Sequence, residues 1–150
     1  MDTIRFRSPI SEEELSYCLE EYSKTVKEAL YHSDTALKNL KLAYKNPYTI
    51  FRVILYNGIR VGWFLARISN TSEHTNIKSI NQIYYYCNTS GYKSVRCVKE
   101  TFKYLEQEAV NRKIRVLTAT NSPYDERLQL VKILEKQGWK RYSYYAIKQL

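Results

Sequence analysis

No stretch of the sequence approaches eighteen consecutive apolar residues, so no helix is expected to span a membrane. The opening residues Met1-Asp2-Thr3-Ile4-Arg5-Phe6-Arg7 lack the apolar core and small-residue cleavage site of an export signal, which points to a cytoplasmic protein. Cysteine is sparse: Cys18, Cys87 and Cys97 form no C-x-x-C pair, and the two histidines, His32 and His74, lie far apart. Neither a zinc site nor a disulfide framework is expected from that spacing. Four glycines and three prolines are scattered without a low-complexity stretch, repeat or linker. A chain of 150 residues without such a break is expected to fold as one domain, 1–150, around one core.

Charge and tyrosine are abundant. The formal net charge is +9, and it is unevenly placed: residues 91–150 hold 13 Lys/Arg against 6 Asp/Glu, whereas residues 1–90 hold 11 against 9. A positive field of this kind draws phosphate-bearing or acidic partners, such as a nucleotide cofactor, nucleic acid or an acidic protein, and it serves a plainly solvated surface equally well. Apolar residues make up 44%, too many for a disordered chain. Fifteen tyrosines, with many Lys, Asn and Ile, suggest an AT-rich coding genome, as in many phages and low-GC bacteria.

Periodicity divides the chain into alternating elements. Residues 3–7 alternate as a short strand, and Ser11 followed by Glu14 makes a capping box for a helix with Leu15, Cys18, Leu19 and Tyr22 on one face. A second helical pattern contains Leu30, Leu37, Leu40 and Ala43, with Ser33 or Asp34 able to cap a new start, and it stops near Asn46-Pro47. Residues 50–56 and 59–68 flank Asn57-Gly58, a strong hairpin signal. Residues 69–78 are polar and loop-like, and 80–87 form another strand. After Asn88-Thr89-Ser90-Gly91, a helix is marked by Val95, Val98, Phe102, Leu105 and Ala109. A strand at 114–119 should run parallel to the previous one. A helix over 124–136, with Leu128, Val131, Ile133 and Leu134, ends at Gly138, and 139–150 forms a last, Tyr-rich strand. The fold class is α/β (α+β mixed), a mixed sheet flanked by helices in the order β-α-α-β-β-β-α-β-α-β.

Two segments resemble the GNAT superfamily of N-acetyltransferases. Val53-Ile54-Leu55-Tyr56-Asn57-Gly58-Ile59-Arg60-Val61-Gly62-Trp63-Phe64 is similar to the family's second and third strands, where a short turn precedes an (I/V)-V-G-(F/W) element. Leu134-Glu135-Lys136-Gln137-Gly138-Trp139 is close to the family's Y-x-K-x-G-F at the end of its last helix. With the strand-turn-helix at 80–110 between them, the resemblance covers nearly the whole chain.

The resemblance implies an acyl-CoA-dependent N-acyltransferase in which an amine attacks acetyl-CoA directly, without metal or covalent enzyme intermediate. It implies that the pantetheine arm lies where the fourth strand diverges from the fifth, and that the pyrophosphate sits at the start of the following helix. The matching cofactor-binding positions are Cys87, Gly91, Tyr92, Lys93, Ser94, Val95 and Arg96, with Asn121 on the neighbouring loop. The family's Arg/Gln-x-x-Gly-x-Gly/Ala is replaced here, with Gly91, Ser94 and Arg96 at its three marked positions; Arg96 either obstructs the phosphate or grips it. The family's proton donor falls on Leu134, which cannot donate, and strand 80–87 contains no acid. Tyr84 and Tyr86 on one strand face, and Tyr124, are the candidate catalytic residues, each competing with a packing role. His74, in a polar loop, is expected to be a surface residue. The acceptor is an unknown amine, favoured by charge to be acidic or nucleic-acid-linked, and the Tyr-rich final strand offers an edge for a homodimer. The alternative is a catalytically silent GNAT-like domain that binds a protein or nucleic acid through its basic, Tyr-rich surface; a plain nucleic-acid-binding module is a third possibility without a recognised motif.

Overall fold

A computed structural model describes residues 1–24, 33–70, 76–119 and 129–141. The elements in chain order are β1 (Ile4–Arg7), α1 (Glu12–Ser23), α2 (Ser33–Lys45), β2 (Thr49–Tyr56), β3 (Ile59–Asn70), β4 (Lys78–Cys87), α3 (Gly91–Asn111), β5 (Val116–Leu117) and α4 (Gln129–Lys136). This is the order expected from the sequence as far as α4. From residue 142 on, the expected last strand, and with it the edge offered for a second copy, lies outside the described residues. His74, Asn121, Tyr124 and Leu128 also lie outside them. Among the described residues, no helix is long and apolar enough to cross a membrane.

The five strands form one sheet in the order β1-β2-β3-β4-β5, antiparallel except for the β4–β5 pair, which is parallel as expected. Alternation along β2 and β3 splits their side chains between two cores. Ile50, Ile54 and Phe64 pack with Phe102, Leu105 and Ala109 of α3 on one face. Phe51, Val53, Trp63 and Leu65 pack with Leu15, Cys18 and Leu19 of α1 and Leu40 and Ala43 of α2 on the other. Burying a side chain of this size contributes on the order of 2 kcal/mol, so each face holds its helices by apolar contact. The Trp63 indole adds direction, because its N–H donates to the Cys18 carbonyl at 3.1 Å while its ring stacks on Phe51.

The Asn57-Gly58 signal forms the expected two-residue turn, with φ of 50° and 81° at the two positions and Tyr56 paired with Ile59. Four residues on, Gly62 permits a close approach: a Cβ there would sit 2.1 Å from the Tyr86 carbonyl oxygen and 2.8 Å from Cys87 Cα. That contact is the physical meaning of the Val61-Gly62-Trp63 element, since only a hydrogen fits between β3 and the end of β4. At the end of α4, the Trp139 N–H donates to the Leu134 carbonyl and the Gly138 N–H to that of Glu135, while Leu134 and Trp139 share one core. Trp139 also meets Phe102 edge-on and donates to Glu106 at 2.9 Å, so the helix stop read from Gly138 fixes α4 against α3.

Three local expectations change. Strand β3 runs on to Asn70, and β4 begins at Lys78, because Ser69 and Asn70 pair with Ser79 and Lys78 through backbone groups while their side chains stay polar. Val95 is exposed; the inward stripe of α3 begins at Cys97 and continues through Thr101, Phe102 and Leu105. Only half of the capping box closes. Ser11 Oγ accepts from the Glu14 N–H at 3.3 Å, but the Glu14 carboxylate accepts from the Ile10 N–H, from both Arg7 terminal nitrogens (2.6 and 2.9 Å) and from Arg60 (2.7 Å). Two guanidinium groups and the Ile10 N–H occupy that carboxylate in place of the Ser11 N–H. The buried acid thereby joins β1, α1 and β3.

Candidate functional site

The site lies where β4 parts from β5. Pairing between them is confined to Ser79 with Val116 and Ile80 with Leu117, closed by the Thr118 N–H donating to the Ile80 carbonyl. Beyond Ile80, residues 81–87 of β4 have β3 on one edge and no described strand on the other. A strand edge of this kind presents backbone donors and acceptors that need partners.

A β-bulge marks the point of divergence. Leu65 pairs with Tyr84 and Arg67 with Asn81, so two residues of β4, Gln82 and Ile83, oppose Ala66 alone, and Gln82 takes a left-handed φ of 47°. The bulge shifts alternation by one residue. Ile83, Tyr85 and Cys87 join Ile80 on the α3 side, while Tyr86 joins the α1 side. Tyr84, two residues from Tyr86, shares the latter face and is 52% exposed. The two candidate catalytic tyrosines therefore share a face, and Tyr85 packs on the other.

Burial pushes the Tyr86 phenol above the ordinary tyrosine range, with the Glu21 charge adding to the effect and Lys24 opposing it. A phenol so shifted stays protonated and can donate. Glu21 and Tyr17 of α1 thus lie within electrostatic reach of Tyr86, with Glu21 paired to Lys24 at 3.1 Å. An acid of α1 thus lies near the face of β4 that carries Tyr86, a strand with no acid of its own. Sequence reasoning missed Glu21 because its place beside the apolar stripe of α1 resembles a solvated flank.

The start of α3 is open. Ser90 is extended (φ −133°, ψ 163°) and makes no side-chain cap, so the first N–H groups of the helix lack that partner. A Cβ placed on Gly91 would meet nothing within 4 Å, and Tyr92 is 74% exposed. Lys93 holds its ammonium 5.4 Å from the centre of the Tyr56 ring. Arg96 turns toward the beginning of β1, with one guanidinium nitrogen 3.5 Å from the Asp2 carbonyl oxygen and another 3.9 Å from its carboxylate. Asp2 is itself held by Tyr56 and Asn57. Arg96 is therefore drawn to the hairpin end of the sheet.

Among the described candidates, the structure brings Cys87, Gly91, Tyr92, Lys93, Ser94, Val95 and Arg96 together on one strand-turn-helix, with Tyr84 and Tyr86 on the preceding strand. Leu134, which takes the position of the family's donor tyrosine, is buried in the α3-side core. Among the described residues, no cluster of three His, Cys, Asp or Glu could hold a metal ion.

No protein-family model and no curated protein matches the sequence. Solved structures do match the fold. An aminoglycoside N-acetyltransferase, AAC(6')-Iy, solved in complex with CoA, superposes with a TM-score of 0.66 at 13% identity over 100% of this chain and 95% of its own. Glucosamine-6-phosphate N-acetyltransferase from Arabidopsis thaliana gives 0.65 at 12% identity over 98% of each chain. A transcriptional regulator from Bacillus halodurans C-125 gives 0.68 at 13% identity over 100% of this chain and 99% of that one. The chain thus has the fold of the GNAT acetyltransferases.

Proposed function

We propose that the protein is an acyl-CoA-dependent N-acyltransferase acting as a single domain, with acetyl-CoA as co-substrate. The parting of β4 from β5 carries this assignment, because it leaves residues 81–87 with an edge of backbone groups in line with the uncapped start of α3. Amide groups of a pantetheine arm suit that edge, and a pyrophosphate suits the N–H groups of residues 91–94, where the helix dipole favours an anion. The space around Gly91 and the turning of Arg96 toward Asp2 leave that helix start accessible. The cofactor supplies a thioester carbonyl.

The chain's own groups then orient the reactants. Backbone N–H groups of the β4 edge polarise the carbonyl. Glu21 accepts the proton that the attacking amine loses, directly or through one water, and Tyr86, kept protonated by burial, donates toward the departing sulfur. Tyr84 lines the acceptor side. A basic surface favours an acceptor amine that carries an acidic or nucleotide group. Positioning of the two reactants on one scaffold supplies most of the rate enhancement.

Leu134 favours one alternative. Its burial removes the family's donor from the cleft, which suits a catalytically silent domain that binds a protein or nucleic acid through exposed residues such as Tyr92 and Val95. The two are separated by measuring free CoA thiol released from acetyl-CoA in the presence of an amine panel that includes aminated nucleotides. The enzyme should release thiol with at least one amine, and Glu21→Gln and Tyr86→Phe should each lower the rate by about tenfold or more while leaving acetyl-CoA binding intact. Binding without release across the panel would establish the silent domain.

A further inference from the structure

The end of β4 and the second turn of α3 bring together two thiols, one of them on the proposed pantetheine edge, to whose sulfurs the acyl transfer above gives no chemical step. The bulge at Gln82 turns Cys87 toward α3, where it packs against the core cluster that contains the fully buried Cys97. The reversal of the chain at 88–90 holds the two residues side by side although they belong to different elements. The Cys87 sulfur lies 3.0 Å from Thr89 Oγ1 and within hydrogen-bonding reach of the Cys97 thiol. Tyr85, two residues back on the same face, directs its buried hydroxyl at the Cys87 sulfur without reaching good hydrogen-bond geometry. One turn along α3 from Cys97, the buried Thr101 hydroxyl has no partner. Two sulfurs and the Thr89 and Tyr85 hydroxyls thus gather at one end of an otherwise apolar core, an arrangement that packing alone does not require.

The two thiols are unequal. Cys87 is partly exposed and is surrounded by donors, Cys97 first and Thr89 after it, which favour its thiolate and hold its pKa below the ordinary thiol range. Cys97 is held above that range, by the neighbouring Cys87 sulfur and by burial. Cys18 provides an internal reference: it lies in the other core, and burial pushes it up to about 11. One partly exposed thiol beside one fully buried thiol is the pairing of an attacking and a resolving sulfur.

We propose that Cys87 and Cys97 form an oxidant-responsive dithiol site whose oxidant is a hydroperoxide. The Cys87 thiolate attacks the terminal oxygen of the peroxide and breaks the O–O bond; the other oxygen leaves as water or an alcohol, and Cys87 becomes a sulfenic acid. Cys97 then attacks the Cys87 sulfur and gives up its proton to the departing hydroxide, so that a second water leaves and a disulfide forms. Two thiols are oxidised by two electrons and one peroxide is reduced. A dithiol reductant reverses the change. The new bond pins the end of β4 to α3 and takes Cys87 away from Thr89, next to the Ser90-Gly91 turn.

The reduced, full-length protein is exposed to hydrogen peroxide under native conditions, quenched by denaturation in N-ethylmaleimide and mapped by mass spectrometry without reduction. The expected result is an intrachain Cys87–Cys97 cross-link with Cys18 still alkylated, and consumption of Cys87 at least about tenfold faster than Cys18. Cys97→Ser should stop at a sulfenic acid on Cys87 that dimedone captures, and Cys87→Ser should leave Cys97 reduced. Loss of Cys18 at an equal rate, links between chains alone, or three intact thiols in the wild type would overturn the proposal. The wild-type readout stands even if either variant folds poorly.

Discussion

The two halves of the sheet are built to opposite standards. Around β1 and the hairpin ends of β2 and β3, polar groups have well-formed partners: Glu14 accepts from Arg7, Arg60 and Ile10, Asp2 from Tyr56 and Asn57, and Trp63 donates to Cys18, while Arg67 Nε, farther along β3, is buried without one. Along β4 and the start of α3, the sheet keeps a bulge, an edge without a described strand beyond Ile80, an uncapped helix start and buried hydroxyls without partners at Tyr85 and Thr101. Unmet hydrogen-bonding capacity is costly in a structure that gains nothing from it. We propose that the side carrying most of it among the described residues is shaped for a ligand, and that the other is the frame that holds it.

Gly62 is where the frame touches the site, and its replacement should have the largest effect. Gly62→Val would push a side chain into the Tyr86 carbonyl and should destabilise the fold by about 3 kcal/mol, measured by urea unfolding. Glu14→Gln tests the frame alone and should cost about 2 kcal/mol, because two partly exposed guanidinium groups lose their anion but keep some water. Its effect depends on pH. Hydrogen bonds from Arg7, the largest influence, hold the Glu14 carboxyl below its ordinary value of 4.5, so its contribution is present above pH 4.5 and is lost as pH falls through the lowered folded-state value. The acid limb of a stability-pH curve should therefore be shallower in the variant than in the wild type.

Ser94→Asp should separate frame from site by giving effects of opposite sign. A carboxylate in the first turn of α3 should raise stability by about 0.5 kcal/mol through the helix dipole, while repelling a pyrophosphate and weakening acetyl-CoA binding by tenfold or more. If binding and stability moved together, the helix start would be part of the frame. The smallest effect is expected at Lys113, two residues past the end of α3, which takes a left-handed φ of 58°. Lys113→Gly should add up to about 1 kcal/mol in thermal unfolding and leave ligand binding unchanged.

Legibility in the sequence follows the same division. Asn57-Gly58 and Gly138-Trp139 were readable because turn chemistry is local, a few residues fixing their own backbone. The parallel placement of β5 followed from a strand-helix-strand pattern. Glu14 was visible only as a capping residue, since its pairing with Arg60 spans 46 positions and depends on the docking of α1 on β3. The bulge was hidden too. Gln82 is an unusual residue for a left-handed conformation, and nothing around it announces a change of face, yet that change decides that Tyr84 and Tyr86 turn to α1 while Cys87 turns to Cys97. Glu21 and the thiol pair were obscured for a related reason, because each is defined by a partner on another element.

We propose that the open side of the sheet binds acetyl-CoA. Thermal unfolding of the wild type and of Ser94→Asp with and without millimolar acetyl-CoA tests it most directly. Mass action should raise the wild-type melting temperature by about 5 °C or more near a hundredfold excess over Kd, with a much smaller rise in the variant. An unchanged wild-type melting temperature at millimolar acetyl-CoA would contradict the claim.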